Sequence, residues 1–118
     1  MGVLFRYPIA AAENLAAQAE ILASEWAAPR HQALFVALVV RAVANDEASY
    51  ALKLAAAVRL SGLSVRGTLL ALASFEHRRL ILLERMLSEL LIIRFSIRHT
   101  QHGHYKLAIW ENAEVQDV

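Results

Sequence analysis

The sequence predicts a mainly helical single domain closed by a C-terminal β-hairpin, and three observations lead there. Of the 118 residues, 58% are hydrophobic, and much of that fraction is Ala and Leu, both strong helix formers. Apolar residues recur at helical spacing in successive segments up to His77. From Leu91 the texture changes to β-formers alternating with polar residues. A chain of this length has room for one continuous core, since domains typically run to roughly 100–150 residues.

The first element is an amphipathic helix between Pro8 and Pro29. Leu15, Leu22 and Trp26 recur at helical spacing, while Glu13, Glu20 and Glu25 lie elsewhere around the turn. Residues 1–28 thus form an N-terminal element set before residues 29–118, and both packing on the core and pairing with a second copy are open to it. After Pro29, His31 to Ala44 reads as a hydrophobic helix ended by Asn45-Asp46. Ala51 to Leu60 reads as a third helix with Leu52, Ala55, Ala56 and Leu60 inward, and Ser61-Gly62 ends it. Ser64 can cap a fourth helix from about Val65 to His77.

The segment Leu80 to Leu90 fits a helix lined by Leu80, Leu83, Leu87 and Leu90, or a short strand at Leu80 to Leu83. Beyond it, Ile92, Ile93, Phe95 and Ile97 interleave in part with Arg94, Ser96 and Arg98. Gln101 to His104 supplies a turn, and Tyr105 to Trp110 a second alternating run.

Charge is segregated although the net charge is only +1. Residues 51–110 hold nine of the twelve Lys and Arg but three of the eleven Asp and Glu, whereas both the first fifty residues and the tail are acidic. Such a distribution is expected where one part of a chain meets a polyanion; a solvated basic surface produces it too. The chain has no Cys, which excludes disulfides, thiolate metal sites and Cys nucleophiles and fits a reducing compartment. The first eight residues lack a basic region followed by a long apolar stretch, and the run Ala33 to Val40 is far shorter than the roughly 20 residues of a membrane span. A cytoplasmic location without membrane insertion is expected.

The informative stretch is Ala55 to Ile81. Ser61-Gly62-Leu63-Ser64 has the form small-Gly-Leu-Ser, and Phe75-Glu76-His77-Arg78-Arg79-Leu80-Ile81 follows the pattern Leu-Glu-x-x-Gly-Leu-Ile, with Phe for Leu and Arg79 for Gly. At this spacing the segment resembles the helix-turn-helix of winged-helix DNA-binding domains, found in transcriptional regulators and phage replication-type proteins. The resemblance implies a three-helix core with a C-terminal hairpin wing and an extra N-terminal helix. It implies duplex DNA as partner and a role in transcription regulation or replication. With no dinucleotide fingerprint, Walker loop or His-Glu-x-x-His helix in the sequence, no enzymatic activity and no cofactor are expected.

On that reading Ser64, Val65 and Arg66 enter the major groove, Arg98 and Lys106 lie on the wing, and Arg78 and Arg79 reach the backbone. A homodimer is expected, with residues 1–28 as the pairing element. One departure favours a protein partner instead. Leu69 and Leu70 occupy positions that are usually polar in DNA-binding members, and an apolar recognition helix suits an adaptor or antagonist of a regulator. Gly67 also weakens that helix by roughly 1 kcal/mol relative to Ala.

Other signals are read plainly. His99, His102 and His104 cluster at the hairpin tip, where they are polar turn residues rather than a metal site. Gly62 to Gly67 has one residue too many for a nucleophile elbow and no preceding strand, so Ser64 is not catalytic. Trp26 and Trp110 are core or interface aromatics.

Overall fold

Pro29 opens a helix at the position where its missing N–H costs nothing, and the apolar residues behind it make that helix the centre of the molecule. The computed structural model describes residues 9–45, 47–99 and 105–111. Helix α1 (Ile9–Ser24) precedes α2 (Pro29–Ala44), strand β1 (Ser49–Lys53), α3 (Leu54–Ser61), α4 (Val65–His77), β2 (Ile81–Met86), β3 (Leu90–His99) and β4 (Tyr105–Ala108). A 3-10 turn at Leu87–Glu89 joins β2 to β3.

Helix α2 buries Leu34, Phe35, Leu38, Val39, Ala42 and Val43, a face with the 3.6-residue period of a core helix. Its Phe35 ring meets Phe75 of α4 at 5.2 Å and Phe95 of β3 at 6.0 Å, so one side chain ties helix to helix and helix to sheet. Helix α1 packs along α2. Leu15, Ala19 and Ala23, spaced one turn apart, are fully buried there, and the two alanines leave room for close approach.

The strands form one antiparallel sheet in the order β1-β3-β2, with β4 paired to the distal half of β3. Among the described residues the fold is thus a mixed one of four helices and a small antiparallel sheet, which bears out the mainly helical expectation in part. Part of the difference lies at Ser49–Lys53, which the Ala and Leu content assigns in part to the third helix. Tyr50 and Leu52 alternate inward and pair with Ile93 and Leu91, so sheet pairing overrides helix propensity until Leu54. The ambiguous segment after His77 is a strand, Ile81–Met86, in register with β3 from Ile81 opposite Phe95 to Met86 opposite Leu90. Leu80 and Ile81 are buried, but Leu87 points to solvent, which removes the Leu80/83/87/90 helix.

Helices α2 and α4 form as the sequence predicts, as does the antiparallel pairing of residues 90–99 with 105–108. Among the described residues, no single helix is long and apolar enough to cross a membrane.

Candidate nucleic-acid interface

The turn between α3 and α4 is built from small polar residues. Gly62 closes α3 in the left-handed region at φ 67°, and its N–H donates to the Val58 carbonyl at 3.0 Å. Ser64 is the N-cap of α4: its Oγ accepts from the Gly67 N–H at 3.0 Å. The Thr68 Oγ1 lies 2.8 Å from the Ser64 carbonyl and 2.7 Å from the Ser61 Oγ, which in turn lies 3.0 Å from the Val58 carbonyl. The Ser61 Oγ also accepts from the Leu63 N–H at 3.0 Å. Two hydroxyl protons thus serve this chain of hydrogen bonds, and the axes of α3 and α4 meet at 92°, close to the right angle of a helix-turn-helix.

Gly67 has a steric reason to be there despite its cost to the helix. A Cβ at this position would lie 3.2 Å from Leu63 Cβ and 3.3 Å from Ser64 Oγ.

Helix α4 turns Thr68, Ala71, Leu72 and Phe75 inward. Its other face presents Val65, Arg66, Leu70, Ala73, Glu76 and His77 to solvent. Ser64, Val65 and Arg66 therefore stand together in the exposed first turn. The two leucines assigned to an alternative protein interface part company: Leu69 packs partly against the core, whereas Leu70 is 58% exposed.

Two further arginines flank this turn that sequence reasoning does not single out. Arg59 is exposed in the last turn of α3, and Arg30, at the start of α2, donates from Nη1 to the Gly62 carbonyl at 2.9 Å. Arg30 is 32 positions from its partner, a separation at which no local pattern reveals it. Between Leu54 and Phe75 the charged residues are Arg59 and Arg66 alone.

The other predicted contacts lie elsewhere. Arg78 and Arg79 follow α4 at its far end, about 20 Å from its start at 1.5 Å per residue. Arg78 sits over the Trp26 ring at 4.2 Å, and Trp26 meets Phe75 edge-on at 5.9 Å. Arg79 adopts φ 61°, and its carbonyl accepts from the Trp110 N–H at 2.8 Å. Arg98 and Lys106 face each other across β3 and β4. They border a cleft shared with Leu22, Ile109 and Glu111. From the β2–β3 tip to Arg98 is roughly 26 Å along β3 at 3.3 Å per residue, so this pair stands at the opposite end of the strand from Leu87–Glu89.

The side chain of His99, and His102 and His104 entirely, lie outside the described residues. Among the described residues no three His, Cys, Asp or Glu group as metal ligands. Set against known family models, curated proteins and solved structures, the chain matches none of them.

Proposed function

We propose that this chain is a non-enzymatic winged-helix module that binds duplex DNA through the first turn of α4, as a transcriptional regulator or replication-associated factor. The observation that carries the reading is the surface of the helix-turn-helix. Its exposed charges are Arg59 and Arg66, Arg30 lies on the intervening turn, and no acid interrupts the segment before Glu76. The positive end of the α4 dipole adds to that field. The element order α2-β1-α3-α4-β2-β3 supports this reading; on it β2–β3, the hairpin directly after α4, serves as the wing in place of the β3–β4 pair to which the sequence assigns that role. Ser64, Val65 and Arg66 then approach the bases, while Arg59 and Arg30 hold phosphates. Arg98 and Lys106 form a second phosphate-binding strip away from the groove helix.

A titration of the chain against fluorescently labelled random duplex tests this. Affinity should fall with salt along a log–log slope of about −0.9 per phosphate neutralised. No binding at roughly 50 mM salt overturns the proposal, because non-specific attraction is strongest there.

One observation favours a second reading, that of a protein-interaction module. Leu70 is 58% exposed on α4 and Leu87 is 92% exposed at the β2–β3 turn, and apolar anchors of this kind suit a protein groove. In either case a homodimer would use the outer face of α1, where Ile21 is 70% exposed. Sedimentation as a monomer at high micromolar concentration overturns the dimer.

A further inference from the structure

We propose that Gln18 is a positioning residue for the distal hairpin, fixing the register of β4 and with it the placement of Lys106 opposite Arg98. The inference deepens the DNA reading, on which its phosphate-binding consequence rests. From α1 the Gln18 Nε2 donates to the Tyr105 carbonyl at 3.1 Å, and its Oε1 accepts from the Leu107 N–H at 2.8 Å. These two groups lie two residues apart on the edge of β4 that faces away from β3. They are the groups that a neighbouring strand would engage. A primary amide carries donor and acceptor on one planar head, so a single side chain takes that strand's place.

The need for such a device follows from the size of β4. It has four residues and pairs only with β3 among the described strands, so few ladder bonds define its register. A slip by one residue exchanges its faces. Leu107, 4% exposed, would move outward, and Lys106 would turn toward the core. Gln18 is well placed to prevent this because its own position is fixed by fully buried neighbours, Leu15 one turn before it and Ala19 beside it. Leu22, one turn later, borders the cleft that Lys106 and Arg98 share. Helix α1 is thereby the scaffold of the second cation strip, through one amide.

The test uses the full chain with Gln18→Leu, Gln18→Asn, Lys106→Gln and the double variant Gln18→Leu/Lys106→Gln. Two readouts are needed: hydrogen exchange of the Leu107 amide, and the salt slope of binding to random duplex. Gln18→Leu should speed Leu107 exchange by about tenfold, the effect of removing one hydrogen bond. It should also flatten the slope as much as Lys106→Gln does, by about 0.9 for each phosphate no longer neutralised. In the double variant the slope should be no flatter than in Lys106→Gln alone. Unchanged Leu107 exchange, or additive slope losses, overturns the inference. If Gln18→Leu does not fold, Gln18→Asn keeps a neutral amide but shortens it by one methylene, so that it no longer spans both groups, and its Leu107 exchange and slope decide by the same criteria. Wild-type protein that ignores duplex overturns the DNA reading alone, and Leu107 exchange then still decides whether Gln18 holds the strand.

Discussion

The hydroxyls of Ser61 and Thr68 meet at 2.7 Å across the turn that sets α4 at a right angle to α3. Thr68 is fully buried and Ser61 nearly so, and buried hydroxyls are costly unless they are hydrogen-bonded. Thr68→Val keeps the shape of the side chain but deprives both Ser61 Oγ and the Ser64 carbonyl of a partner. The expected loss is about 1–2 kcal/mol in urea unfolding. A change below about 0.5 kcal/mol would mean that the turn is held by the packing of Leu63 and Leu72 instead.

Arg79 reports on the same segment from its other end. At φ 61° it occupies backbone space that costs an L-residue roughly 1–2 kcal/mol. Glycine carries no such cost. Arg79→Gly should therefore stabilise the fold by about 1 kcal/mol, raising the denaturant midpoint without changing the slope of the transition. Destabilisation would show that the Arg79 side chain makes interactions worth more than the strain.

The turn between α3 and α4 was legible in the sequence because its determinants are local. Gly62, Ser64 and the spacing of Thr68, Leu72 and Phe75 all act within one or two helical turns. The sheet was legible only in part. Tyr50 and Leu52 lie in a helix-prone run of Ala and Leu and become a strand only because Ile93 and Leu91, some forty positions away, pair with them. Gln18 and Arg30 were illegible for the same reason, since each bonds a backbone group distant in sequence. For α1, the alanines at 19 and 23 carry no strong apolar signal, yet they define its buried face.

Tyr50 should confer a dependence on alkaline pH. Its hydroxyl donates to the Leu38 carbonyl at 2.8 Å inside the core. Burial raises its pKa well above the usual phenol value of about 10, against a smaller opposing effect of Arg41. The folded state thus favours the neutral phenol. The stability this contributes is complete below about pH 10 and is lost as pH rises past that value toward the folded pKa. Tyr50→Phe should cost about 1 kcal/mol at neutral pH, and its stability should decline less between pH 10 and 11. Parallel profiles for the two proteins would show that Tyr50 does not carry the alkaline loss.

Arg78 separates a structural role for a cation from the proposed DNA-binding one. Lodged over Trp26 at 4.2 Å, it joins the end of α4 to the segment after α1. Arg78→Gln should lower stability by about 0.5–1 kcal/mol, the usual worth of an exposed cation–π pair, and shift Trp fluorescence. Its effect on the salt slope of duplex binding should be smaller than that of Arg66→Gln. An equal loss of slope would place Arg78 on the phosphate backbone as well.

Leu70 discriminates between the two functional readings, because one substitution moves them in opposite directions. The side chain is 58% exposed on the outward face of α4, and Leu and Arg have nearly equal helix propensity. Leu70→Arg should therefore leave stability within about 0.5 kcal/mol of wild type. If α4 lies in the groove of a duplex, the added cation stands one turn beyond Arg66 on the same helix. Affinity for random duplex should then rise, and the salt slope should steepen by about 0.9 if a further phosphate is engaged. If α4 instead buries Leu70 in a protein groove, the guanidinium would be desolvated without a partner, and capture should fail. Tighter duplex binding by Leu70→Arg supports the DNA reading, whereas a variant with no gain for duplex at any salt concentration shows that this face of α4 does not meet DNA.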